Sequence, residues 1–255
     1  MNFIQAVGNK TLRFFEELGG VSLLFFNILK NSGSLFRRRK LFFFQMEHIG
    51  VNSLPLVAVI AIFTGAVSAW QAAYQLKGVA PLSFLGTATT RAIITELGPV
   101  LTAIVIAGRI GASIAAELGS MKVTEQINAL LVMGISPVKY LAVPRFFAAI
   151  IMIPILVVFA DVIAIFGAYF ISDYFLDITP DMFFDSAKRF FYMKDFLFGI
   201  GKGVVFGGST ALIGAYLGFE TEGGAEGVGK STIKAFVIIS AVILISDYIL
   251  WMFIN

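Results

Sequence analysis

Residues 146–171 read FFAAIIMIPILVVFADVIAIFGAYFI, 26 consecutive positions with one ionisable residue, Asp161. As an α-helix this run rises about 39 Å at 1.5 Å per residue, more than the roughly 30 Å hydrocarbon core of a bilayer. Working outward, four further stretches reach spanning length: 51–74, 92–116, 196–219 and 232–254. The 255 residues are 58% hydrophobic and only 14% charged, with a mean hydropathy of +0.89. A soluble domain of ordinary composition is excluded. The chain therefore reads as all-α, a polytopic membrane protein with five transmembrane helices in a single membrane domain over 1–255.

The first fifty residues read differently. The apolar runs at 21–29 and 41–44 are too short to span, and between them lie Arg37, Arg38, Arg39 and Lys40. A weak apolar stripe of Ile4, Val7, Phe14 and Leu18, with Asn9, Arg13, Glu16 and Glu17 elsewhere around the helix, fits an interfacial segment better than a cleaved signal peptide. Residues 1–50 are thus expected as an interfacial N-terminal elbow with the basic cluster at the headgroups. Seven of the nineteen basic residues precede Leu41, which favours anionic lipid over nucleic acid as their partner. With a cytosolic N-terminus, twelve Lys and Arg fall on the inner side and five on the outer, the asymmetry expected of this orientation. The C-terminus is then periplasmic.

The connections differ in character. LKGVAPLSFLG, between spans one and two, is short and turn-rich. The segment between spans three and four, with several Asp and Phe around Pro180, reads as amphipathic and outer-facing. Between spans two and three, Val123, Ile127, Leu130 and Leu131 recur at helical spacing while Lys122, Glu125 and Gln126 fall on another face, ending at Gly134 and Pro137. This predicts a short amphipathic cytosolic helix.

Ionisable residues inside a span cost about 2.5 to 3.5 kcal/mol at mid-bilayer on insertion scales, so each is a candidate site. Five qualify: Glu96, Arg109, Asp161, Lys202 and Asp247. Counting from the span starts places Glu96 and Lys202 at similar depth in the outer half. Asp247, in the same half, competes for Lys202. A Glu96–Lys202 pair could be a structural bond or a contact for a zwitterionic or anionic headgroup, and sequence leaves both open. Arg109 is expected to snorkel toward Glu117, and Asp161 has no evident partner. In span two, Ala103, Ala107, Gly111 and Ala115 recur every fourth residue, a small-residue ridge for close helix packing within the bundle or across a dimer. There is no cysteine and one histidine, His48, so neither a thiolate site nor a metal site is indicated. No cofactor is expected.

The runs ELGPV at 96–100, AGRIGASIAAELGSM at 107–121 and TEQI at 124–127 are the most distinctive in the chain. With PRF at 144–146, GGAEGVGKST at 223–232 and Ser246-Asp247-Tyr248, they resemble the MlaE (YrbE-type) permease family, membrane subunits of ABC systems associated with MCE-domain proteins. The resemblance covers residues 86 to the C-terminus, with the motifs in the right order. It implies a homodimeric permease in the bacterial inner membrane. Cytosolic ATPase subunits would sit beneath it and an MCE-domain protein outside, with phospholipid or a related lipid moving between membrane and partner. The helix between spans two and three would then be a coupling helix, its ATPase contacts supplied by Glu117, Lys122, Glu125 and Gln126, while Glu96, Lys202, Asp247 and Arg91 would line the substrate pathway. The family often carries Arg directly before the Glu of ELGP; here Thr95 stands there, and Arg91, one helical turn earlier, is the substitute.

Gly224 to Ser231 also satisfies the Walker A pattern. A P-loop needs a preceding strand and an α/β domain, and both flanks here are membrane spans, so ATP hydrolysis is expected in a separate subunit. The competing reading, an autonomous ion- or proton-coupled transporter, would be supported by inverted repeats with matching broken helices, and none is evident. A lipid-acting membrane enzyme would need a histidine-activated nucleophile or a ligand cluster, which His48 alone does not supply.

Overall fold

The structure, a computed structural model, describes residues 3–253; for residues 3–10, Arg13, Phe14 and Phe36 only the backbone is described. Of the N-terminal stripe, the side chains of Ile4, Val7 and Phe14, with Asn9 and Arg13, lie outside the described residues, as do Ile254 and Asn255. Among the described residues every regular element is helical. Helix α1 covers Phe3–Lys30. After the single turn Ser34–Arg37 come five long apolar helices: α2 (Arg39–Leu76), α3 (Leu82–Val123), α5 (Val138–Leu176), α7 (Met193–Phe219) and α8 (Gly224–Met252). Two short helices lie between them, α4 (Gln126–Val132) and α6 (Pro180–Arg189).

Each long helix runs past the apolar stretch that marks it in the sequence, because hydropathy registers only the part that needs lipid while backbone hydrogen bonding continues beyond it. Residues 41–44 belong to the helical section Arg39–Ile49, which joins Leu54–Leu76 through one 3-10 turn, Val51–Ser53.

Lipid tails are as apolar as leucine, so close packing rather than water exclusion must hold such helices together. The glycines show how. A Cβ on Gly65 of α2 would strike the Ala164 backbone of α5, and one on Gly167 would strike the Ile62 backbone in return. Nearer the start of α5, Gly207 of α7 lies against the Ala149 carbonyl. Helix α5 thus meets both α2 and α7 at near backbone contact. The α3 ridge makes the next layer: Ala103, Ala107, Gly111 and Ala115 are all buried, and a side chain at Gly111 would meet Ile239 of α8 and Thr210 of α7. Gly214, one turn after Thr210 on α7, faces the Gly111 carbonyl. The ridge packs within one chain.

Helix α1 rests on the same body, Phe25 packing edge-on against Phe146 and Glu17 bridging to Lys234 of α8 at 2.5 Å. Helix α6 begins at Pro180, whose missing N–H costs nothing at a first helical position. It folds back onto the start of α3. Phe183 is fully buried there, and Thr87 donates from Oγ1 to the Ser186 carbonyl at 2.7 Å. The many phenylalanines divide by position: Phe63, Phe166 and Phe170 are exposed on the apolar periphery, while Phe183 and Phe206 are core.

The connection after α3 departs from the expected single helix. Glu125 adopts φ +60°, which breaks the helical phase. Val123 remains on α3, and α4 is the separate turn pair Gln126–Val132. Ile127 alone is buried, Leu130 is half-buried, and Leu131 is exposed rather than on the bundle side.

Candidate functional site

The site grows from a proline. In α-helical register the Thr95 carbonyl would accept from the N–H of residue 99, and Pro99 has none. The helix responds with a π turn over Ile93–Leu97, the Gly98 N–H reaching back five residues to Ile93. Such single wide turns recur at functional sites. The released Thr95 carbonyl is taken by Lys202 of α7, Nζ to O 3.0 Å.

Lys202 has no exposed surface, and its ammonium also meets Glu96 Oε2 at 2.6 Å and Asp247 Oδ1 at 2.7 Å. The Glu96 contact is a well-formed hydrogen bond; the Asp247 contact is ionic, with Oδ1 outside hydrogen-bond alignment. Three oxygens from α3 and α8 thus converge on one ammonium, two of them, the Thr95 carbonyl and Glu96 Oε2, as hydrogen-bond acceptors and the third, Asp247 Oδ1, as an ion pair. Two rings flank it: Phe198, one turn earlier on α7, at 5.1 Å, and Trp251, one turn after Asp247 on α8, at 5.7 Å. The exposures differ sharply. The Glu96 side chain is 46% exposed, that of Asp247 11%, that of Lys202 zero. The triad therefore opens through Glu96 at the surface of an apolar bundle.

Structure brings together Glu96, Lys202 and Asp247, three of the four residues read as the pathway. Arg91 is directed elsewhere, bridging to Asp195 at 3.2 Å and lying 5.8 Å from the Tyr192 ring. Asp161 sits in the core against Gly98, where it would meet any added Cβ, and its Oδ1 has no hydrogen-bond partner among the described residues.

A second π turn, Ala107–Gly111, carries Arg109. Its guanidinium does not reach Glu117. It donates to Ser53 Oγ and to the His48 carbonyl on α2, which lies beside its own turn of α3. Glu117 instead pairs with buried Arg145 at 2.9 Å. Arg145 follows a third π turn, Val138–Ala142, again ahead of a proline, Pro144, and also donates to the Leu141 carbonyl at 2.9 Å. Of the remaining residues read as coupling, Lys122 is half-buried and Glu125 and Gln126 are exposed. Gln126 donates to Thr124 Oγ1 at 3.0 Å, and Asn128 donates to Glu125.

Reading the sequence missed the Thr95 carbonyl, both aromatic walls and the Glu117–Arg145 bridge. The available signal was Pro99 and Pro144 inside helical runs, each announcing one carbonyl without its N–H. The Walker-like segment falls inside the first turns of α8, with no strand before it among the described residues, so its P-loop context is missing. Among the described residues no three His, Asp or Glu side chains converge as metal ligands.

Five long apolar helices, three of which carry a charged cluster, define a polytopic α-helical membrane protein. The chain belongs to the MlaE permease family: the family described as Permease MlaE matches residues 42–253. It is 37% identical over 250 residues to a probable ABC transporter permease protein of Rickettsia felis, covering 98% of this chain and 96% of that one. A probable ABC transporter permease protein of Synechocystis is 38% identical over 206 residues, 81% and 78% of the two chains. The intermembrane phospholipid transport system permease protein MlaE of Haemophilus influenzae is 30% identical over 251 residues, 98% and 96%.

Proposed function

We propose that this chain is the permease subunit of an ABC transporter that moves phospholipid or a related lipid between the inner membrane and an outer MCE-domain partner. The observation that carries the reading is the half-exposed Glu96 held by buried Lys202 at the surface of an apolar bundle. Left against lipid tails, such a carboxylate costs free energy, so its face is used either by a second copy of the chain or by a polar headgroup. A homodimer enclosing the two triads does both. The names of the Rickettsia and Synechocystis relatives support the ABC class, and that of the Haemophilus relative supports the phospholipid cargo.

In this reading the N-terminus is cytosolic, α1 and the Arg37–Lys40 cluster form the interfacial elbow, and α4 is the coupling helix that meets a separate ATPase. Glu125, Gln126 and the exposed Leu131, Val132 and Met133 are its contact surface. Glu117–Arg145 ties the end of α3 to the start of α5, so a push on α4 is transmitted to both spans. The chemistry on this chain is non-covalent: binding, orientation and release.

The test is reconstitution. The chain is co-expressed with a candidate ABC ATPase subunit from the same organism, purified, and assayed for ATP-dependent transfer of labelled phospholipid out of proteoliposomes. Transfer that requires ATP and falls with Glu96→Gln supports the reading. A chain that binds no ATPase, or that drives flux alone on an ion gradient, overturns it.

A further inference from the structure

The triad is unsuited to the group that phospholipids share. A phosphate needs donors, and the one cation of the cluster, Lys202, is fully buried, donating to Glu96 and the Thr95 carbonyl and lying 2.7 Å from Asp247. What faces outward is an acceptor. Glu96 uses Oε2 on Lys202 yet leaves 46% of its side chain exposed, and Asp247 adds a second carboxylate behind it. Trp251, 41% exposed, extends the ring surface beside the opening, and an indole face attracts cations. Arg91 does not reverse the sign, because Asp195 already neutralises it.

From this arrangement we infer that the triad selects lipids whose headgroup carries an ammonium group, the ammonium donating to Glu96 and lying beside Trp251. This rests on the lipid-permease reading above and adds the headgroup class. Bound in this way, the ammonium donates to the Glu96 carboxyl surface that Lys202 leaves open. A headgroup with a neutral polyol and a net negative phosphate meets a carboxylate at the same place and is disfavoured. Lys202 is a positioning residue here: it fixes Glu96 and does not touch the lipid.

The experiment measures lipids retained by the purified full-length protein, by mass spectrometry after exchange in mixed micelles containing equal phosphatidylethanolamine, phosphatidylglycerol and N-acylated phosphatidylethanolamine. The expected result is enrichment of the free amine over both others by about tenfold, the discrimination of one charge-assisted hydrogen bond. The N-acylated lipid changes only the ligand, so the comparison stands even if a variant misfolds. In Glu96→Gln protein of unchanged elution and melting temperature, the preference disappears while lipid is still retained. Retention that mirrors the micelle, that favours phosphatidylglycerol, or that persists unchanged in Glu96→Gln overturns the headgroup inference and leaves the permease reading intact. Retention of no lipid at all overturns both.

Discussion

Lys202 Nζ lies 3.0 Å from the carbonyl oxygen of Thr95, the oxygen that Pro99 deprives of its α-helical donor. The charged cluster and the break in the helix are thus one device. A lysine from α7 completes the hydrogen bonding of α3 at the place where a proline opens it, and Glu96, next to Thr95, is brought to the same ammonium.

Pro99→Ala is therefore expected to do more than regularise a helix. It supplies an N–H that competes with Lys202 for the Thr95 carbonyl. Hydrogen exchange should slow around residues 93–99, and headgroup selectivity should fall while the protein still folds. A variant with unchanged selectivity and exchange would show that the π turn does not depend on the proline.

Lys202→Met removes the ammonium and leaves two carboxylates facing each other. Breaking a buried ion cluster on one side costs about 3–5 kcal/mol, so a large drop in melting temperature in detergent is expected. The triple variant Lys202→Met, Glu96→Gln, Asp247→Asn should recover most of that loss, because no unpaired charge is left. Recovery of less than half would mean that packing by the lysine stem dominates.

Gly65→Val tests the backbone contact between α2 and α5. The new side chain has to displace the Ala164 backbone, and overpacking costs of about 1–3 kcal/mol or more are expected. A melting temperature equal to that of wild type would argue that the two helices separate easily. Gly201→Val serves as control, since nothing lies within 4 Å of its Cβ position.

Glu125 holds φ +60° at the entry to α4, a conformation costing an ordinary residue about 1–2 kcal/mol. Glu125→Gly should leave stability equal or slightly higher despite loss of the Asn128 contact, and Glu125→Val should lower it. If α4 couples to an ATPase, the valine variant should also uncouple ATP turnover from lipid transfer, measured side by side.

Arg145→Gln keeps a donor for the Leu141 carbonyl yet removes the charge opposite Glu117. The expected outcome is a modest loss of stability, about 1–3 kcal/mol, and loss of lipid transfer with ATPase binding retained. Charge reversal of both partners tests whether the bridge itself matters: restored transfer in Glu117→Arg, Arg145→Glu would assign the effect to the pair.

Much of the fold was legible because spanning a bilayer demands apolar length. Residues 146–171 needed no neighbour to declare a transmembrane helix, and the small-residue spacing of Ala103, Ala107, Gly111 and Ala115 marked a packing face before any partner was known. The same spacing could not say which helices would lie on it. Counting residues from span starts put Glu96, Lys202 and Asp247 at comparable depth, which made their meeting plausible without choosing among pairings. The misreadings came where a local backbone event shifted phase: Glu125 in a left-handed conformation split the expected amphipathic helix, and the π turn at Ala107–Gly111 accompanies Arg109 meeting Ser53 rather than Glu117.

By itself, then, the sequence determined an all-α membrane protein with five spans and a short list of charges that had to be accounted for, since burial of an apolar helix or an ion has a free energy that depends on composition and length. Tertiary structure alone decided that one ammonium hydrogen-bonds Glu96 and a proline-released carbonyl while ion-pairing with Asp247, and that Glu96 is the member left open. Hydrogen-bond valence and exposure are properties of where α3, α7 and α8 come together in space, and no single segment carries them.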